Sequence, residues 1–123
     1  MTTRRTVIGA AGSLLFLPGG ALAMEESKYG LLGKMRAVPG KRAELIAILL
    51  AGTGEMPGCL AYIVAEDIKE PDAIWITEVW DSAESHKASL QLPAVQAAIT
   101  RGRPLIAGFD SQVELRVAGG VGL

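Results

Sequence analysis

Apolar and polar positions alternate along four stretches of the chain, and the stretches between them follow a helical period. Alternation every second residue marks a half-buried strand, and recurrence at i, i+3 and i+4 marks an amphipathic helix. Residues 28 to 38, KYGLLGKMRAV, predict a first strand with Lys34 and Arg36 on one face. Pro39-Gly40 closes it, and Pro39 also suits the first turn of a helix. Over residues 41 to 54, Leu45, Ile48, Leu49 and Gly52 share one helical face, with Lys41, Arg42 and Glu44 on or near the other. Gly52 and Gly54 stop that helix, and Met56-Pro57-Gly58 makes a turn.

Residues 59 to 67, CLAYIVAED, predict a second strand with Leu60, Tyr62 and Val64 on one side and Ala61, Ile63 and Ala65 on the other. A hairpin-length connection, residues 68 to 72, leads to a third strand over 73 to 81. Ile74, Ile76, Glu78 and Trp80 fall on one of its faces, and Trp75, Thr77 and Val79 on the other. Bulky apolar groups on both faces predict that both are covered. Asp81 or Ser82 caps the next helix, with Ala83, Leu90 and Ala94 as its expected core contacts. Leu92-Pro93 breaks it and starts another helical run over 93 to 108, which Gly102 and Pro104 can interrupt. The last strand spans 110 to 117.

The order is β-α-β-β-α-β, the split βαβ pattern of an α+β, ferredoxin-like domain. Such a domain covers one sheet face with its own helices. The other face, on the Trp75 or the Trp80 side, needs a partner, and the simplest is a second copy of the chain related by a two-fold axis.

Composition narrows the function classes. The chain has 123 residues, with 12 Lys+Arg against 13 Asp+Glu, so it lacks the basic footprint of a nucleic-acid binder. One His and one Cys cannot supply a zinc site from one chain. Residues 1 to 23 read as an export signal: a basic start with Arg4-Arg5, a short apolar stretch, then Ala21-Leu22-Ala23 as a cleavage motif. The arginine pair resembles a twin-arginine signal, with a Sec signal or an upstream start-codon error as alternatives. Pro18, Gly19 and Gly20 fit a membrane-spanning helix poorly, so stable membrane insertion is not expected. Cleavage would leave a domain over 24 to 118 with a Gly-rich tail over 119 to 123, in the periplasm or secreted. That mature chain carries 10 Lys+Arg against 13 Asp+Glu, a charge of −3. Cys59 lies among apolar residues and reads as an inert thiol rather than a nucleophile.

The candidate chemistry gathers around EVWDSAESHKASLQLPAVQ, residues 78 to 96. His86, the only histidine, can accept a proton near neutral pH; its bland reading is a partly buried His bonded to a carbonyl or a Glu. Trp80 suits a flat aromatic ligand or plain core packing. Glu78 shares its face and is either a second acid/base orienting His86 or one half of a dimer salt bridge with Arg36 or Arg116. Tyr62 can offer a phenol to a cavity, or pack. Arg101 and Arg103 read first as a solvated helix end and second as a hold for an anionic substrate. No strand feeds a helix after Gly119, Gly120 and Gly122, so they form no phosphate cradle.

The element order, the run E-V-W-D-S-A-E-S-H and the Pro-Ala-Val-Gln helix start resemble the antibiotic-biosynthesis monooxygenase family, in its quinol monooxygenase type. The resemblance covers residues 28 to 117. It implies a dimeric α/β barrel that oxidises a small aromatic or quinol-like molecule with molecular oxygen and no metal, flavin or other cofactor. It places Trp80 at the family's pocket tryptophan and His86 near the substrate. With the strand and helix faces read above, the candidate catalytic positions are His86, Trp80 and Glu78, and the candidate substrate contacts are Tyr62, Ile76, Ser89 and Leu90. Many relatives carry a His four residues before the helix-starting Pro, where this chain has Ser89. That departure weakens a heme-degrading reading. The alternative to an enzyme is a non-catalytic dimer that binds a small ligand or fills its cavity with side chains.

Overall fold

The computed structural model describes residues 28–123; the export signal expected over 1–23 and the domain start at Met24 lie outside the described residues. The elements are β1 (Lys28–Ala37), α1 (Arg42–Gly52), β2 (Cys59–Glu66), β3 (Ala73–Trp80), α2 (Ala83–Ser89), α3 (Pro93–Gly102) and β4 (Ile106–Val117), with a 3-10 turn over Arg103–Leu105 between α3 and β4. The expected order is present, with its second helical segment split in two. The split is local chemistry. The Pro93 ring disfavours helical backbone at Leu92, which is extended at φ −68° and ψ 136°. Pro93 itself sits in the first turn of α3, where its missing N–H costs nothing.

The strands form one antiparallel sheet in the order β2-β3-β1-β4. Leu31, Gly33 and Met35 of β1 share a face with Ile74, Ile76, Glu78 and Trp80 of β3 and with Tyr62 and Val64 of β2. The helices cover this face. Met35, Ala37, Leu45, Ile74 and Ile76 form its buried core, with Ile46, Leu49, Val64, Leu105 and Ile106 packed around them. α1 and α3 approach closely because Gly52 has no side chain. A Cβ there would collide with the Ala98 Cβ and lie 2.9 Å from the Ala94 carbonyl oxygen.

The Trp75 side is the open face. At one end Lys34 donates to Glu70 at 2.9 Å and sits 5.4 Å from the Trp75 ring centre, while Arg36 pairs with Asp110 and Glu70. Further along, Ile63, Val113 and Leu115 are about half exposed.

Four expectations need correction. β4 begins at Ile106 rather than residue 110, because Ala37 pairs with Ile106 and the helix stops at Gly102. The apolar run LIAGF fits either period, and strand pairing decided it. Leu60 does not share the Tyr62 face: it is the extra residue of a β-bulge between Cys59 and Ala61, and it is exposed. Pro39 lies in a β-turn closed by the Lys41 amide donating to the Val38 carbonyl at 2.9 Å, with Gly40 at φ 81°, and the helix starts only at Arg42. Ala83, Leu90 and Ala94 are exposed rather than core. The two-turn α2 buries only Ser89, and Val95, Ala98 and Gly102 form the buried face of α3. Arg36 has its partners within the chain, Glu70 and Asp110, on the sheet face opposite Glu78.

Candidate functional site

Between the covered sheet face and the helices lies a cavity of about 600 Å³. Its wall is mainly apolar, with Leu31 and Met35 from β1, Leu45 and Leu49 from α1, and Ile99 from α3 among the contributors. Of the residues singled out from the sequence, Tyr62, Ile76, Glu78, His86 and Leu90 line it. Trp80 and Ser89 do not. Trp80 is fully buried, and the Ser89 hydroxyl is turned back to donate to the His86 carbonyl at 2.6 Å.

Trp80 nonetheless touches two polar groups of the wall, Glu78 and His86. Two residues from Glu78 along the same strand face, it donates its Nε1–H to Glu78 Oε1 at 2.8 Å. Its ring meets the His86 ring edge-on with centres 5.4 Å apart. His86 Nε2 lies 4.0 Å from Glu78 Oε1, and both side chains are mostly buried, at 23% and 16% exposure. His86 is delivered by α2, whose start is fixed by the Ser82 hydroxyl accepting from the Ser85 amide at 3.1 Å.

Sequence reasoning missed Tyr29. Its ring lies 5.8 Å from that of His86, and its hydroxyl donates to Glu114 on β4 at 2.6 Å. That bond to a carboxylate is the main reason its phenol is pushed up to about 12. Burial drives the Tyr62 phenol well above its usual range, with the Glu78 charge adding to it. Tyr62 is thus a proton-bearing wall, not a base. Burial also raises the Cys59 thiol, with Glu78 again contributing, which keeps the sulfur protonated and poorly nucleophilic.

The far wall comes from the 3-10 turn and β4: Arg103, Ile106, Phe109 and Gln112 were not assigned to a cavity from the sequence, apart from the anion-holding alternative for Arg103. Phe109 is 69% exposed, which puts it at the mouth. Arg101 is not on the wall. Among the described residues no three His, Cys, Asp or Glu side chains converge to hold a metal ion, and no helix is long and apolar enough to cross a membrane. The arrangement can take a proton at His86, balance the resulting charge with Glu78, and hold an apolar ring away from water.

The family model described as antibiotic biosynthesis monooxygenase matches residues 29–101. The chain belongs to the antibiotic biosynthesis monooxygenase family. A crystal structure of a family protein from Chloroflexus aurantiacus J-10-fl is 67% identical, covering 76% of this chain and 96% of that one at a TM-score of 0.75. One from Caulobacter crescentus CB15 is 21% identical, covering 77% and 92% at 0.64. A mutant of SnoaB, a cofactor-independent oxygenase from Streptomyces nogalater, is 13% identical, covering 76% and 96% at 0.63, and shows the shared fold. No curated protein matches the chain. Membership gives the general kind, a small-molecule monooxygenase, and the ferredoxin-like fold expected from the sequence is the family's.

Proposed function

We propose that the cavity binds an electron-rich, quinol-like hydroxyaromatic and that the protein oxidises it with molecular oxygen, using no metal, flavin or other cofactor. The observation that carries this reading is Glu78 and His86 together on the wall of an otherwise mainly apolar cavity.

His86 takes the phenolic proton, and Glu78, held by Trp80, balances the imidazolium. The apolar wall replaces the anion's hydration shell, which favours electron release. One electron passes to oxygen, and the substrate radical and superoxide combine through a new C–O bond. His86 returns its proton to the resulting peroxide. The O–O bond then breaks, and the distal hydroxide leaves with the ring C–H proton as water. One oxygen atom stays on the product as a quinone oxygen, and the four electrons lost by the substrate are the four taken by oxygen.

Oxygen uptake by protein starting at Met24, with a panel of quinols, tests this. His86→Ala and Glu78→Gln should each lower uptake about 100-fold, and Trp80→Phe about tenfold, since a positioned base is worth at least that much. Wild-type uptake equal to autoxidation would sink the oxidation; ligand binding without uptake would make the protein a carrier. An open cavity already favours either of these over a core filled by side chains.

In the same reading a second copy covers the open sheet face, and the protein acts in the periplasm or after secretion. Sedimentation of the purified protein and N-terminal sequencing of the exported chain check those two points.

A further inference from the structure

The two ends of the cavity differ in charge. Glu78 lies opposite Leu31 on β1. Arg103 lies toward the other end, just before the segment where the Leu105 carbonyl accepts from the Val38 amide and Ile106 pairs with Ala37. From Leu31 to Ala37 an extended strand runs roughly 20 Å, at ~3.3 Å per residue. The ammonium of Lys34 is turned to the open face over Trp75, where Glu70 and Asp110 engage it. Arg103 has no carboxylate within 4.0 Å among the described residues, so it is the one unpaired cation on the wall. Midway, Gly33 leaves the sheet floor bare: a Cβ there would meet only the Ser111 carbonyl oxygen, at 3.7 Å.

Size points the same way. A dry apolar cavity of ~150 Å³ is enough for benzene, and this one is about 600 Å³. A single-ring quinol would leave most of it empty.

Resting on the function proposed above, we infer that the substrate is an elongated hydroxyaromatic anion: its hydroxyl meets His86 and Glu78, and Arg103 holds a carboxylate at its far end. Side chains reach inward from both ends, so the two groups are on the order of 10 Å apart. A carboxylate accepts charge-assisted hydrogen bonds from the guanidinium fork that a neutral amide accepts only weakly. Arg103 is exposed, so the preference is modest and falls as salt is added. Arg103 is therefore a specificity residue that takes no part in the proton transfer.

The test is calorimetric binding of a hydroxybiphenyl carboxylate and of the carboxamide on the same skeleton, to wild type, Arg103→Gln and Arg101→Gln. The carboxylate should bind wild type roughly five- to tenfold tighter than the carboxamide. Arg103→Gln should erase that preference, and Arg101→Gln, two residues away and off the wall, should keep it. No preference in wild type, no binding of either probe, or equal losses in both variants would overturn the inference. Oxygen uptake measured alongside separates the two proposals. A preference without uptake keeps the anion site and removes the oxidation, whereas uptake without a preference does the reverse.

Discussion

α1 and α2 lie over the same face of one sheet, yet they are held by different means. α1 has 11 residues, buries Leu45 and Ile48, and seats Gly52 against α3. Its first residue, Arg42, also reaches across to donate to the carbonyls of Asp67, Glu70 and Ala73, fastening the β2–β3 loop. α2 has seven residues, buries only Ser89, and relies on the Ser82 cap. A helix of two turns does not persist alone in water. The lesson is a division of labour: α1 carries stability, while the histidine sits on a short element whose position is set by a cap and by the Trp80 ring.

That contrast can be broken most forcefully at Gly52. Gly52→Val must push α1 and α3 apart and should cost about 3 kcal/mol, the upper end of overpacking, read from the denaturant midpoint. A cost below about 1 kcal/mol would mean the helices are not in contact there. Ser82→Ala is the gentler break, on the other side. Loss of the cap should cost about 1 kcal/mol, felt locally. Amide exchange over residues 83 to 89 should quicken while the global midpoint barely moves; a full shift of the midpoint would show α2 to be as integral as α1.

The smallest effect sharpens the picture at the loop that Arg42 grips. Asp67 accepts the Trp75 Nε1–H at 2.9 Å and the amides of Lys69 and Glu70, which lower its carboxyl to about 2 from an ordinary 3.8. Because the folded value is the depressed one, this stabilisation is present above pH ~4 and is lost as pH falls through about 2. Thermal midpoints at neutral and acid pH should converge slightly in Asp67→Asn relative to wild type. An unchanged pH dependence in the variant would remove Asp67 from the account.

Much of this was legible in the sequence, and the remainder has physical reasons. Period-two alternation put Ile76 and Glu78 on one face of β3 and Tyr62 and Val64 on one side of β2; strand pairing joins the two into the face that carries the cavity. His86 was found because it is the only one of its kind. Trp80 was chosen by residue type, which says nothing of whether a tryptophan lines a cavity or stands behind the residue that does. Tyr29 is near His86 because β1 pairs with β3 beside Trp80, and Phe109 and Gln112 reach the cavity through the way β1 meets β4. That register includes a shift between Lys34 and Met35, and no local pattern announces it. Leu60 was misplaced for the same reason at the other edge.

β4 is the outermost strand on its side, and its outer backbone edge is unpaired among the described residues. The same strand supplies Phe109 and Gln112 to the cavity, and through Glu114 it holds the tyrosine that lies beside His86. Edge and pocket are thus one piece of backbone. A chain that zipped onto that edge would straighten or twist the strand, and in doing so would alter how much room the pocket offers and how firmly its histidine is braced.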